Sequence, residues 1–197
     1  MPKIDAPSVA EHRAQVQQRL VDAAEKLLRE SPDSPLTAGS VSSAAGIARN
    51  SIYRYVDTVD DLRALVVDRY LPGWVAAVHD GLAQTPPDEQ VAAWVRVNLE
   101  QSSTVGHQWL ASAGGTSTPS PTVEAVAARA HDGVLAPLVD AWRGLLDDAD
   151  EVRMAVALTT GLLDAGFRQL DAGLPEDVVV RCTVAAARAL TQSLPRA

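Results

Sequence analysis

The chain has little that could staple, anchor or address it. Its 197 residues include one cysteine, Cys182, so no internal disulfide can form; such sparse cysteine use fits a reducing compartment. A single cysteine reads as a small core hydrophobe. No apolar run reaches the roughly 18 residues of a membrane helix. The opening residues, MPKIDAPSVAEHR, lack the apolar stretch of a signal peptide. A soluble cytoplasmic protein is expected. There is no nucleophile elbow, phosphate loop, paired His/Cys ligand set or Glu/His helix motif. Asp147-Asp148 and Asp150-Glu151 read as a solvated helix boundary, which makes an enzyme the weaker reading. His79, His107 and His131 lack ligand spacing on a helix, so neither metal nor cofactor is expected.

What is present favours helices. Aromatics are only 4% of the chain, but hydrophobic residues reach 47%, mostly alanine, leucine and valine. That is enough to bury a core. Net charge is −8 and unevenly spread. Residues 1–60 carry seven basic and eight acidic side chains; the remainder carries ten and 17. A polyanion is tolerated by the first part and repelled by the second, because screening cuts charge interactions off beyond about 8–10 Å.

Val16, Leu20, Ala24, Leu27 and Leu28 fall on one face of a helix over 9–30, ended by Ser31-Pro32. Thr37 opens a short segment to Ala45, and Gly46 breaks it. A second short helix covers 48–55, with Ile52 and Val56 inward. Thr58 caps the next helix with Asp61 as its capping-box partner, and Pro72-Gly73 interrupts that helix. A long helix spans 88–112, and shorter ones span 122–131 and 134–147. A long apolar helix runs from Asp150 to Ala172, stopped by Gly173. Pro175 suits the first position of the last helix. No strand-like alternation appears. The expected fold is all-α with about nine helices: a three-helix unit over 1–57, then a larger bundle over 58–197.

Residues 48–56, ARNSIYRYV, concentrate basic, amide and hydroxyl groups in an acidic chain. On a helix, Arg49, Asn50, Ser51, Tyr53 and Arg54 spread over the outer faces. A helix fits the DNA major groove, where arginine pairs with guanine and asparagine with adenine. The hydroxyls of Ser51, Tyr53 and Tyr55 suit phosphates. The helix opened by Thr37 would aim its amides at another phosphate.

The stretch LTAGSVSSAAGIARNSIYRYVDTVDDL, 36–62, resembles the helix-turn-helix of TetR/AcrR-family transcriptional regulators. Thr37, Ala45-Gly46-Ile47, Ser51-Ile52-Tyr53, Tyr55-Val56 and Leu62 match in register, and the likeness covers about residues 9–65. It implies phosphate contacts by Thr37, Tyr53 and Tyr55, groove contacts by Arg49, Asn50 and Ser51, and a further contact by Arg54. Two departures stand out. Ala48 replaces the usual Ser/Thr cap, and Val59, amid Asp57, Asp60 and Asp61, replaces a phosphate-binding lysine. Arg13 and Arg19 could compensate.

The resemblance further implies a homodimeric, ligand-responsive regulator, commonly a repressor, on a palindromic double-stranded operator, with a ligand-binding and dimerisation bundle after residue 57. Two apolar final helices, 150–172 and 175–193, suit a four-helix dimer interface. All four tryptophans lie in the bundle. Trp74, Trp94, Asn98, Gln101, Val105, His107, Gln108, Trp109, Trp142 and Phe167 are candidates to line a site for a mainly apolar small molecule. Each taken singly reads more readily as core or surface. A TetR-like fold that has given up DNA for a protein partner is the alternative.

Overall fold

A computed structural model describes residues 9–31, 34–105 and 120–194. It is helical, with no strand among the described residues. The helices are α1 (Val9–Glu30), α2 (Ala38–Ala44), a 3₁₀ turn (Arg49–Arg54), α3 (Val59–Ala83), α4 (Gln90–Val105), α5 (Pro121–Ala130), α6 (Ala136–Arg143), α7 (Ala149–Asp171) and α8 (Glu176–Ser193). No helix among the described residues is long and apolar enough to cross a membrane.

The described residues form two compact units. The first contains α1, α2, the 3₁₀ turn, α3 as far as Arg69, and Ser120 to Val126. The second contains α3 from Tyr70 onward, α4, and the chain from Ala127.

In the first unit α1 buries Val16, Leu20, Ala24 and Leu28, while Leu27 is half-buried. α2 starts with a reciprocal capping box: Ser40 N–H donates to Thr37 Oγ1 at 3.1 Å, and Thr37 N–H to Ser40 Oγ at 3.2 Å. It ends at Gly46, whose φ of +67° suits only glycine without strain. There Gly46 N–H reaches Ser43 O and Ile47 N–H reaches Ser42 O, the two crossed bonds of a Schellman cap. Arg69 ties α3 to α1 by a fork, Nη2 to Asp22 Oδ1 and Nη1 to Glu25 Oε2, both at 2.7 Å. Burial alone would lower the pKa of Arg69; the bonds from Asp22 and Glu25 outweigh it and raise the pKa.

In the second unit α4 packs against α6, α7 and α8. Its Val91, Val95 and Leu99 are fully buried with Leu138 and Trp142 of α6. Gly173, at φ +85°, closes α7 with a second Schellman cap, Gly173 N–H to Leu170 O and Leu174 N–H to Gln169 O.

Several elements differ from expectation. Pro72-Gly73 does not interrupt α3, which continues through both residues; one missing N–H is tolerated in a 25-residue helix. The two helices expected over 122–131 and 134–147 are one continuous run, α5 and α6 joined by a π turn at His131–Leu135. Gly133 is no break. A β-carbon there would lie 2.4 Å from Val75 Cγ2, so the glycine serves close packing. The long helix expected over 88–112 begins as a 3₁₀ turn and is described as far as Val105. Pro175 is the N-cap of α8, one residue before its first helical position.

Candidate functional site

The stretch 48–55, expected as an α-helix, is a 3₁₀ helix over Arg49–Arg54. Ser51 N–H donates to Ala48 O at 2.8 Å and Tyr55 N–H to Ile52 O at 2.9 Å, both i to i+3 bonds. Ala48 has the extended backbone of an N-cap but no side-chain acceptor, so nothing holds the first amides in α geometry. The turn is also squeezed between the Gly46 cap and Asp57-Thr58. In a 3₁₀ helix positions i and i+3 eclipse. Asn50 therefore shares a face with Tyr53, and Ser51 with Arg54.

Ile52 is fully buried and Val56 nearly so, as their spacing predicts. They pin the turn and leave its other faces outward. Arg49, Asn50 and Arg54 are exposed, Tyr53 is 57% exposed, and Ser51 and Tyr55 are half-buried. No ion pair among the described residues engages Arg49 or Arg54. The guanidinium carbon of Arg13 lies 6.0 Å from the ring centroid of Tyr55, a cation–π distance that brings a further cation from α1 beside the turn. Arg19 is also exposed, on α1. Thr37 is exposed, but its hydroxyl already caps α2 and donates to Ser40 Oγ at 3.0 Å.

The acids beside this surface repel an anion less than their number suggests. Asp60 pairs with Arg63 at 3.6 Å. Asp61 is only 1% exposed and spends both oxygens internally. Its Oδ2 accepts the amides of Asp57 at 2.8 Å and Thr58 at 2.9 Å, and its Oδ1 accepts the hydroxyl of Ser120. Thr58 Oγ1 accepts Asp61 N–H at 3.1 Å, which completes the expected capping box. Burial pushes the Asp61 carboxyl up, yet the bonds from Ser120, Thr58 and Asp57 outweigh it and hold the group below its ordinary value. Asp57 alone of the three presents an exposed acidic residue without such a role. Ser120 carried no local signal: it lies 59 residues from its partner.

In the second unit three of the candidates for a ligand site are hydrogen-bonded into one group. Trp74 Nε1–H donates to Asn98 Oδ1 at 2.7 Å, Asn98 Nδ2–H to Trp94 O at 2.8 Å, and Trp94 Nε1–H to Val134 O at 2.7 Å. Trp142, fully buried, donates to Thr159 Oγ1 at 3.1 Å. Trp94 and Trp142 belong to the core itself, with Trp74 and Phe167 packed against it. Gln101 is half-buried on α4. His107, Gln108, Trp109 and the Val105 side chain lie outside the described residues.

α7 and α8 keep apolar surface uncovered. Met154 and Leu158 are 59% and 41% exposed, and an open groove of about 270 Å³ runs between the helices, lined by Leu162, Ala165, Val178 and Cys182 among others. Cys182 is exposed there, not a core residue, because it sits on the side of α8 turned away from Val184 and Ala187.

No protein-family model and no curated protein sequence matches the chain. Solved structures do. The multidrug binding protein EbrR, in complex with imidazole, is 22% identical with a TM-score of 0.66, over 98% of this chain and 99% of that one. RolR, in complex with resorcinol, is 16% identical with a TM-score of 0.60, over 95% and 98%. A TetR-family transcriptional regulator from Streptomyces coelicolor is 17% identical with a TM-score of 0.58, over 91% and 95%. Over its described residues, this chain has the fold of the TetR-family transcriptional regulators.

Proposed function

We propose that the protein is a homodimeric, ligand-responsive transcriptional repressor. It binds a palindromic operator through residues 48–56. The observation that carries this reading is the turn Arg49–Arg54, held by one fully buried isoleucine and presenting Arg49, Asn50, Tyr53 and Arg54 outward. Arg49 and Asn50 read base edges, while Ser51, Arg54, Tyr53 and Tyr55 hold phosphates. Thr37 adds the start of α2.

Dimerisation through the uncovered faces of α7 and α8 would set two such turns one DNA turn apart, about 34–36 Å. The part of the chain after residue 57 binds the effector, a mainly apolar small molecule that releases the operator. The ring compounds in complex with two structural neighbours, imidazole and resorcinol, support a small ring compound. The half-buried Trp74, Gln101 and Phe167 are the described candidates with surface left to offer it.

Binding of the purified protein to its own upstream DNA, in a salt series beside an Arg49→Ala/Asn50→Ala variant, tests the reading. Two exposed cations per protomer set at phosphates, Arg13 and Arg54, give a log–log salt slope of about −4 for a dimer. Sequence-specific binding that the variant loses is the expected result. Binding no tighter than to random duplex would instead favour a TetR-like fold serving a protein partner.

A further inference from the structure

Asp61 is the only charged side chain among the described residues to be buried. A helix cap does not require this. The capping box of α3 needs the Thr58 hydroxyl on Asp61 N–H and the Asp61 carboxylate on Thr58 N–H, and both bonds form as well in solvent. Burying a carboxylate is costly unless further donors meet it. Two do. Asp57 N–H shares Oδ2, and Ser120 donates to Oδ1. Ser120 Oγ also accepts Val123 N–H at 3.1 Å, so the same hydroxyl opens α5.

The two ends joined on this carboxylate are the exit of the 3₁₀ turn and the first residue before α5. The turn is six residues long and has no side-chain cap; its exit is held by Tyr55 N–H and, at a longer 3.3 Å, Val56 N–H, both on Ile52 O, and by the Ile52 and Val56 side chains. Asp57 and Thr58 follow Val56 directly. Fixing their amides fixes where the turn ends.

We propose that Asp61 and Ser120 are positioning residues for the turn Arg49–Arg54, the Ser120–Asp61 bond being the point at which the start of α5 holds that turn in place. This deepens the DNA-binding reading, on which its functional meaning rests; the structural role stands without it.

The test is hydrogen exchange of the full-length protein, read on peptides covering residues 47–58, for three forms. Ser120→Asp keeps an acceptor that can open α5 but sets a carboxylate against Asp61. Exchange over 47–58 is expected to rise about tenfold or more, the scale of a lost bond to a charged group, while α1 peptides stay unchanged. Adding Asp61→Asn to Ser120→Asp lets the new amide donate to that carboxylate and still accept from Asp57 and Thr58; exchange should return toward the native rate. Ser120→Ala serves if Ser120→Asp does not fold, with a smaller rise in the same peptides. Native-like exchange over 47–58 in these Ser120 variants, or no recovery in the double variant, overturns the proposal. Fluorescence anisotropy with the upstream duplex runs alongside. A native protein that ignores DNA would refute the function proposed above and leave the exchange result to decide this one.

Discussion

The same glycine-to-alanine change should have opposite signs at two places in α3. At Gly73 the helix is exposed and a β-carbon would meet nothing within 4 Å. At Gly81 it would lie 2.5 Å from Val97 Cγ2, with Val97 itself 6% exposed on α4. Alanine gains about 0.5–1 kcal/mol over glycine in a helix interior, mostly by reducing unfolded-state freedom. Gly73→Ala should show that gain alone, a rise in Tm of about 1–4 °C for a chain of this size. At Gly81 the methyl needs about an ångström more room than it has. Valine in a helix has one strongly preferred χ1, so Val97 cannot rotate away cheaply. Overpacking costs about 1–3 kcal/mol, towards the upper end for a contact this short, which exceeds the helix gain. Gly81→Ala should therefore lower stability by about 1–2 kcal/mol and Tm by about 2–8 °C. The assay is thermal and urea unfolding of both variants, with Val97→Ala to close a double-mutant cycle. In the Val97→Ala background Gly81→Ala should turn stabilising. Equal increases in Tm at Gly73 and Gly81, or an additive cycle, would refute the close approach of α3 to α4.

Three further outcomes are expected. Ala48→Ser supplies the missing cap to a backbone already in cap geometry; it should stabilise by about 1 kcal/mol and tighten operator binding, as read by thermal unfolding and anisotropy. Because the folded pKa of Asp61 lies below the ordinary carboxyl value of 3.8, its contribution to stability is fully present above that value and is lost as pH falls through the native pKa. Urea unfolding from neutral pH downward should show Asp61→Asn with a shallower acid limb than the native protein. Trp142→Phe removes the indole bond to Thr159 and leaves a small void in a fully buried site; it should cost about 2 kcal/mol in urea unfolding, more than Trp74→Phe at a half-buried site.

Most of the helices were legible because their signals span four residues or fewer. Thr37 with Ser40, Thr58 with Asp61, and the positive-φ glycines 46 and 173 act locally, so sequence alone places those starts and stops. The spacing of Ile52 and Val56 likewise determined which face of the turn is buried, and hence which residues could meet DNA. Tertiary structure decided what local rules leave balanced. The turn's 3₁₀ form depends on the short path between Gly46 and the α3 cap, with no side-chain cap at Ala48 to favour α geometry. Gly133 sits inside a helical run because Val75 packs there, and nothing in its neighbours announces that. The exposure of Cys182 follows from how α8 is rotated against α4 and α7, which composition does not contain. The Arg69 fork to residues 44 and 47 positions away, and the Ser120–Asp61 bond across 59, exist only because packing brings distant chain together. Periodicity sets which face is apolar; only the partner packed against that face determines which polar groups meet.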